Sequence, residues 1–397
     1  MPTTLTEKTF PQIFTSSGGV GGTVVNDQGK VVPAAAPAFD YDPVTKAPRG
    51  LRFRGPARTN LLIGSQILAG LAEGTTPPAV ASTTVDGESC VAATFTSASA
   101  VGYAGSRVRS TTAVGANVVA GTVYSTSAYV KLSRPLTGGE SINVYYTGAS
   151  GMGGFLISAA NSGQFVDRFA RVITQSATPV GTGGVYPVVH TAGPLTSNLT
   201  VWFCKGQIEA ASEASSYIPT TTAAVARSVD QVWIPNLQQA PWFNQAEGTM
   251  LMKFVQRAMP ATAMLFGITS AASANDRMLV YLGGAGGASS VAANVFRAGV
   301  QQASLSVPNS AAPLGTLRKV AASWKLGRLV VQVDELPPTV SGVPALPAYV
   351  APTFWLGQRN GGGDPMDGEI LDFAYWPKAA NAAEIAAITP DTELIAG

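Results

Sequence analysis

Between Val123 and Leu132 the chain reads Val-Tyr-Ser-Thr-Ser-Ala-Tyr-Val-Lys-Leu, a run rich in β-formers that follows a period of two. The pattern recurs at Ser141–Tyr146, Phe165–Ile173, Gly184–His190 and Leu199–Cys204. After Pro235–Pro241, which reads as a linker, it restarts at Gly248–Val255, Met264–Ile268 and Arg277–Leu282. A hairpin is expected from Arg318 to Val333, turning at Lys325–Arg328, and strands at Thr353–Gly357 and Gly368–Trp376 complete the series. Many short strands with turn residues between them, and no sustained helical period, specify sandwiches or barrels. Glycine (43) and proline (27) together form about a sixth of the 397 residues, enough for many tight turns and below the share that signals disorder.

The expected architecture is therefore mostly β: an extended N-terminal arm over residues 1–60, then two β-sandwich domains over 61–230 and 231–397. The arm lacks any sustained period, although Asp27-Gln28-Gly29 can close a hairpin between Val24-Val25 and Val31-Val32. Lacking its own core, such an arm is expected to lie against a neighbouring chain or the body of a larger particle. One helix is expected at Ala382–Ile388, where Asn381 caps and Glu384, three residues on, reaches back.

Net charge is +2 with no basic or acidic block, so no nucleic-acid footprint is present, and no apolar run approaches the roughly 20 residues of a membrane span. The N-terminus has no apolar segment of the kind a signal peptide needs. Charged residues are only 12% of the chain, about half the usual share, which suits a surface packed into an assembly. Cys90 and Cys204 are the only cysteines, and they read either as one disulfide or as two buried thiols, the latter being the reading adopted.

Two segments carry a family resemblance. The first runs through Phe39-Asp40-Tyr41-Asp42-Pro43, Pro48-Arg49-Gly50-Leu51 and Ala57-Arg58-Thr59-Asn60-Leu61-Leu62. The second runs from Gly206-Gln207-Ile208-Glu209 through Ser216-Tyr217-Ile218-Pro219-Thr220 to Arg227-Ser228-Val229-Asp230. Together they resemble the opening and closing strands of a module found in bacteriophage tail fibres and head spikes, a jelly roll of carbohydrate-binding type. That family places an acidic residue before the glycine ahead of Ala-Arg-Thr-Asn-Leu; here Arg54 stands there, so the local ion pairing differs. Residues 231–397 are similar to laminin-G and concanavalin A-like sandwiches, on Gly248-Thr249, Val320 to Trp324, Leu356-Gly357 and Asp367-Gly368-Glu369-Ile370.

The resemblance implies a virion structural protein, assembled in the host cytoplasm and exposed on the particle, homotrimeric, with other virion proteins and a host-surface glycan as partners. A purely architectural spike is the alternative, and a polysaccharide-degrading tailspike ranks below both. Arg58, Asn60, Glu209, Tyr217, Ile218 and Arg227 are expected to form a structural seam that joins the ends of the module, with Arg58 paired to Glu209.

No catalytic constellation is evident. His190 is the only histidine and reads as a strand-end residue, without a nucleophile motif to serve. Asp367 and Glu369 are the only candidates for a glycosidase acid pair, and they do not match the acid-x-Asp-x-x-acid alternation of that fold. The Gly283–Gly287 loop lacks the Lys-Ser/Thr and helix of a phosphate cradle. Candidate ligand-binding residues are Trp242, Phe243, Asn360, Asp364 and Asp367, with Asp364 and Asp367 as candidate calcium ligands and no other cofactor expected. Trp324, Trp355 and Trp376 are expected in the core.

Overall fold

A computed structural model describes residues 13–65, 69–110, 116–147, 153–174, 177–258, 262–271, 275–283, 290–308 and 313–388. The mostly-β expectation holds. The chain divides into two compact units, one continuous over Arg58–Arg227 and one assembled from Met1–Ala57 together with Ser228–Gly397.

In the continuous unit, two antiparallel sheets face each other. One orders Gly154–Ser158, Ser141–Thr147, Gly183–Thr191, Arg107–Ser110 and Gly70–Glu73, with Ala116–Val118 also paired to Gly183–Thr191. The other orders Ala170–Ile173, Ser125–Leu132, Leu199–Glu209, Glu88–Phe95 and Ala79–Val85. Alternation along each strand sends one set of side chains inward: Val108, Ile142, Val144 and Val189 from the first sheet meet Val91, Phe95, Val130, Val201 and Phe203 from the second. Each such burial stabilises the unit by about 1.5–3 kcal/mol. Cys90 and Cys204 are buried and unbonded in the second sheet.

A polar network closes this unit. Strand Arg58–Asn60 pairs antiparallel with Val225–Arg227, setting Arg58 opposite Arg227. The fully buried Asn60 donates to the carbonyls of Ile218 (2.8 Å) and Gly206 (3.3 Å) and accepts from the amides of Leu62 (3.0 Å) and Ile208 (3.1 Å). It thereby uses the full capacity of an amide side chain. Tyr217 reaches Ser65 Oγ at 3.0 Å, and Ile218 N donates to Gln207 Oε1 at 2.6 Å. The Glu209 carboxylate accepts from Ser215 N (2.7 Å), Ser215 Oγ (2.6 Å) and Gln207 Nε2 (2.8 Å), all within its own end of the module.

The discontinuous unit is also a two-sheet sandwich. One sheet orders Thr15–Gly18, Asp230–Ile234, Pro352–Leu356, Thr262–Ser270, Arg277–Gly283, Ser290–Arg297 and Val300–Pro308. The other orders Thr339–Ser341, Arg328–Val333, Leu317–Lys325, Glu247–Gln256, Asp367–Trp376, Pro48–Arg54 and Phe39–Tyr41. Phe266, Ile268, Val280 and Phe354 of the first pack against Met252, Phe254, Val320 and Trp324 of the second. The expected hairpin pairs Val320 with Val333 and Lys325 with Arg328, turning through Gly327 at φ +83°. The small hairpin pairs Val24 with Val32 and Val25 with Val31. Helix Ala382–Ile388 lays Ile385 over Leu251, Ala321 and Trp376. Its capping box is formed in both directions, Glu384 N to Asn381 Oδ1 at 2.9 Å and Asn381 N to Glu384 Oε2 at 2.7 Å.

The structure divides the chain differently from the arm-plus-two-domains expectation. Residues 15–54 are not a free arm: Thr15–Gly18 pairs with Asp230–Ile234, and Pro48–Arg54 pairs with Asp367–Trp376, burying Leu51 and Phe53. Their strands are too short to show a period, so their apolar residues gave no pattern. Pro235–Pro241 separates no domains either; Val232, Ile234 and Leu237 all enter one core. Within the expected Phe165–Ile173 strand, Ser162–Phe165 is a 3-10 turn and only Ala170–Ile173 is extended.

Arg54 and Asp230 form a buried ion pair at the edge of this unit's strands. Arg54 N and Nε donate to Asp230 Oδ2 at 2.9 and 3.1 Å, Nη2 pairs with Oδ1, and Nη1 donates to Ala34 O at 2.8 Å. Both side chains are buried, and a side chain at Gly19 (φ +64°) would strike the pair. The arginine that lies within the first segment thus meets the aspartate that ends the second.

Candidate functional site

The structure separates the residues singled out from sequence. Trp242 is 38% exposed, its ring edge-on to Tyr375 at 5.5 Å, whereas Phe243 turns towards the core and packs on Tyr375 at 5.9 Å. Asn244 N donates to the Tyr375 hydroxyl at 2.9 Å, and burial pushes that phenol up to about 12. Trp242 is the more exposed of the pair, with Phe243 partly buried. Asn360 begins a 3-10 turn ending at Gly362. Asp364 pairs with Arg359 at 3.1 Å, and Asp367 with Arg52 at 2.7 Å. Each carboxylate is thus turned to its own arginine, and among the described residues no group of three His, Cys, Asp or Glu side chains gathers as a metal set. Glu369 is held by Arg52 (3.3 Å) and Arg257 (2.8 Å), so the two members of the candidate acid pair share an arginine clamp. Trp324 and Trp376 are buried as expected. Trp355 is not: Phe354 and Leu356 face the core, so it lies on the opposite face. Gly284–Gly287 lie outside the described residues.

A different surface carries the richer chemistry, the outward face of the first sheet of the Arg58–Arg227 unit. Because Val108, Val144 and Val189 point inward, their neighbours Arg107, Arg109, Asn143, Tyr145 and His190 share the other face. Register aligns them in rows. Asn143 stands opposite His190, His190 opposite Arg107, and Arg107 opposite Glu73. The next row runs Tyr145, Val188, Arg109 and Leu71, and a third pairs Thr147 with Tyr186.

The rings interlock. Tyr145 and His190 meet edge-to-face at 5.3 Å, and Tyr103 lies edge-on to Tyr145 at 5.8 Å and to His190 at 6.3 Å. Arg107 stacks its guanidinium 3.9 Å from the Tyr103 ring centre and donates to Tyr103 O at 2.8 Å. Arg109 lies 5.1 Å from the Tyr186 ring. Glu73 braces both arginines, accepting from Arg107 Nε at 2.8 Å and from Arg109 Nε. Burial pushes the Glu73 carboxyl up, but the two arginines more than offset this and hold it below the usual carboxylate range.

Two polar groups on this face are poised for a partner. Burial, aided by the Arg107 charge, lowers the His190 imidazole below its ordinary value, so the ring is neutral near pH 7; its Nδ1 contacts Thr191 O at 2.8 Å. The Tyr145 hydroxyl is buried and has no hydrogen-bond partner, and its phenol is pushed well above the ordinary value by burial. Flat rings beside fixed donors and acceptors suit a ligand with apolar faces and hydroxyl edges. The signal for this face lay in the sequence as alternation around buried valines, Arg107-Val108-Arg109 and Asn143-Val144-Tyr145. Reading His190 alone could not reveal it.

No family model matches the chain, and no curated protein matches it. Solved structures similar to part of it include the NanB sialidase from Streptococcus pneumoniae (TM-score 0.33, 16% identity, 39% of this chain and 26% of that one). The Ruminococcus gnavus IT-sialidase CBM40 aligns at TM-score 0.32 and 15% identity over 37% of this chain and 84% of that one. A SAP-like pentraxin from Limulus polyphemus aligns at TM-score 0.30 and 16% identity over 38% of this chain and 77% of that one. The matched part thus spans about a quarter of the NanB sialidase. Likeness at these scores does not bear on what this chain does.

Proposed function

We propose that this chain is an appendage protein of a bacteriophage virion that contacts a host-surface glycan, and that it acts by binding rather than catalysis. The virion reading is supported by the paired segments 39–62 and 206–230, with their resemblance to fibre and spike modules, and by the low charge of the chain. Glycan binding is supported chiefly by one observation: the Tyr103–Tyr145–His190 cluster beside the Glu73-braced Arg107 and Arg109. A sugar ring stacks on Tyr103 while its hydroxyls meet Tyr145 and the guanidinium edges. The carboxylates on the Asp367–Glu369 segment are committed to arginines, which favours a structural task for them.

A single shallow site of this kind is weak, since a millimolar constant corresponds to only about 4 kcal/mol. Assembly as a homotrimer on the particle exterior multiplies it through avidity. The test is a glycan array probed with the full chain and with Tyr103→Ala and Arg107→Ala variants. The expected result is a defined set of bound glycans, with at least tenfold weaker binding by each variant. Unchanged binding by both variants refutes the site, and no binding anywhere on the array leaves the protein a purely architectural part of the particle.

A further inference from the structure

The His190 ring is held in one tautomer. Its Nδ1 lies 2.8 Å from Thr191 O, and a carbonyl oxygen only accepts, so Nδ1 carries the proton and Nε2 keeps a lone pair. That carbonyl is anchored: Gly102 N also donates to it at 2.8 Å, and Thr191 Oγ1 donates to Ala100 O at 2.9 Å. The loop that presents Tyr103 is thus pinned to the residue that orients the imidazole. Nε2, on the other edge of the ring, has no hydrogen-bond partner among the described residues, and the residue retains 8% exposure.

Around that nitrogen the face is rich in donors. Arg107 and Arg109 can only donate, and each Glu73 oxygen is already taken by one of them. The Tyr145 hydroxyl, without a partner, can serve either way. A ligand oxygen that accepts is therefore well supplied, whereas a ligand hydroxyl that donates meets a fixed lone pair at His190.

We infer that His190 is a specificity-determining acceptor of this face: Nε2 accepts a hydrogen bond from a sugar hydroxyl whose oxygen accepts from Tyr145 or an arginine, and acid therefore releases the sugar. This deepens the glycan-binding reading and rests on it. Protonation removes the lone pair and sets a second cation beside Arg107, which stands opposite His190. The groups facing the ring are Arg107 from one neighbouring strand, Tyr145 and the uncharged Asn143 from the other, and Tyr103 from the loop, with Glu73 behind Arg107. Glu73 is held below the usual carboxylate range and the Tyr145 phenol is pushed up, so neither changes charge between pH 5 and 8. Burial and Arg107 already favour the neutral imidazole, so affinity is full near pH 7 and is lost as pH falls below about 6.5 and through the ring's own value.

Imidazole nitrogen shifts of the ¹⁵N-labelled full chain read tautomer and titration directly, since His190 is the only histidine. At pH 7 Nδ1 is expected to be protonated and Nε2 not. Lactose, cellobiose, mannobiose and chitobiose, neutral so that no ligand group titrates, are added at millimolar concentration beside their permethylated forms, which accept hydrogen bonds but donate none. At least one parent sugar is expected to bind tenfold or more tightly than its permethylated form. It should also lower the His190 titration midpoint by about one pH unit, the counterpart of a tenfold loss of affinity on protonation. A histidine that only packs would not move in this way. His190→Phe keeps a ring without the acceptor and is expected to bind more weakly at pH 7, with no change down to pH 5. His190→Gln restores an acceptor that does not titrate, and is expected to bind more tightly than His190→Phe and as flatly with pH. Thermal melts confirm that the variants fold, and the nitrogen shifts need no variant. A sugar that binds without moving the midpoint, or equally well once permethylated, overturns this inference and leaves the glycan face standing. No binding by any of the sugars at any pH removes both.

Discussion

Removing a single oxygen, by Tyr145→Phe, should move stability and binding in opposite directions. The Tyr145 hydroxyl is buried on the outward face with no hydrogen-bond partner, between the rings of Tyr103 and His190. Leaving such a group unsatisfied costs about 1–3 kcal/mol. Phenylalanine keeps the ring and both edge-to-face contacts while deleting the oxygen. Taking the lower end of the range, because the face is only half-buried, the variant should gain about 1 kcal/mol, which raises the melting midpoint of a body this size by about 2–4 °C. In the glycan complex the sign reverses. If a sugar hydroxyl satisfies Tyr145, its loss removes a hydrogen bond worth about 0.5–1.5 kcal/mol, a two- to tenfold weaker dissociation constant. Differential scanning calorimetry on the free protein and titration with a glycan identified on the array measure both quantities in one preparation. A Tyr145→Phe protein that is less stable by 1 kcal/mol, or that binds as tightly as the parent, would refute the reasoning.

Breaking the buried Arg54–Asp230 pair by Asp230→Ala strands a guanidinium at essentially zero exposure, and should cost about 3–5 kcal/mol, a fall of about 6–20 °C in the midpoint of the discontinuous unit. Arg54→Met combined with Asp230→Leu should recover most of that loss in a chemical denaturation series. Glu140 is 1% exposed and is held far below the usual carboxylate range first by Arg134, with backbone amides of Thr196 and Thr137 adding to it. A depressed carboxyl stabilises the fold above its unfolded value, so urea midpoints of the Arg58–Arg227 unit should hold near pH 7 and fall as pH drops below about 4.5. Glu140→Gln should lose about 1.5–3 kcal/mol at pH 7 and flatten that dependence. Burial pushes the Cys90 thiol up to about 11 and the Cys204 thiol higher still, so neither should react with a thiol reagent at pH 8 until urea unfolds the chain; labelling of the native protein within minutes would contradict this.

Much of the fold was legible because strand alternation is local. Ser141–Thr147 announces itself within ten residues, as does the Asn381–Glu384 capping box, which needs only four. The division of the chain was not legible in this way. Leu51 and Phe53 are two apolar residues in a seven-residue strand, and the partner that buries them begins at Asp367. No window contains both. The outward site failed for a related reason: Glu73, Arg107, Asn143 and His190 form one row only after four strands take their places. By contrast, the closing segment could be anticipated, since Ile218-Pro219 forces an extended approach and the Asn60 amide has the reach to hold it.

The split origin of the second sandwich also sets a timetable. Strand Pro48–Arg54 leaves the ribosome more than 300 residues before the strand at Asp367–Trp376 that it must join. At roughly 5–20 residues per second the wait is about 15–60 s. During that interval every residue of Arg58–Arg227 has been delivered, and that body can ripen alone while Leu51 and Phe53 remain uncovered. A newborn chain therefore finishes its middle before its beginning, and a nascent edge seeking a partner is the stage at which a helper chaperone, or a sister chain emerging alongside, has most to offer.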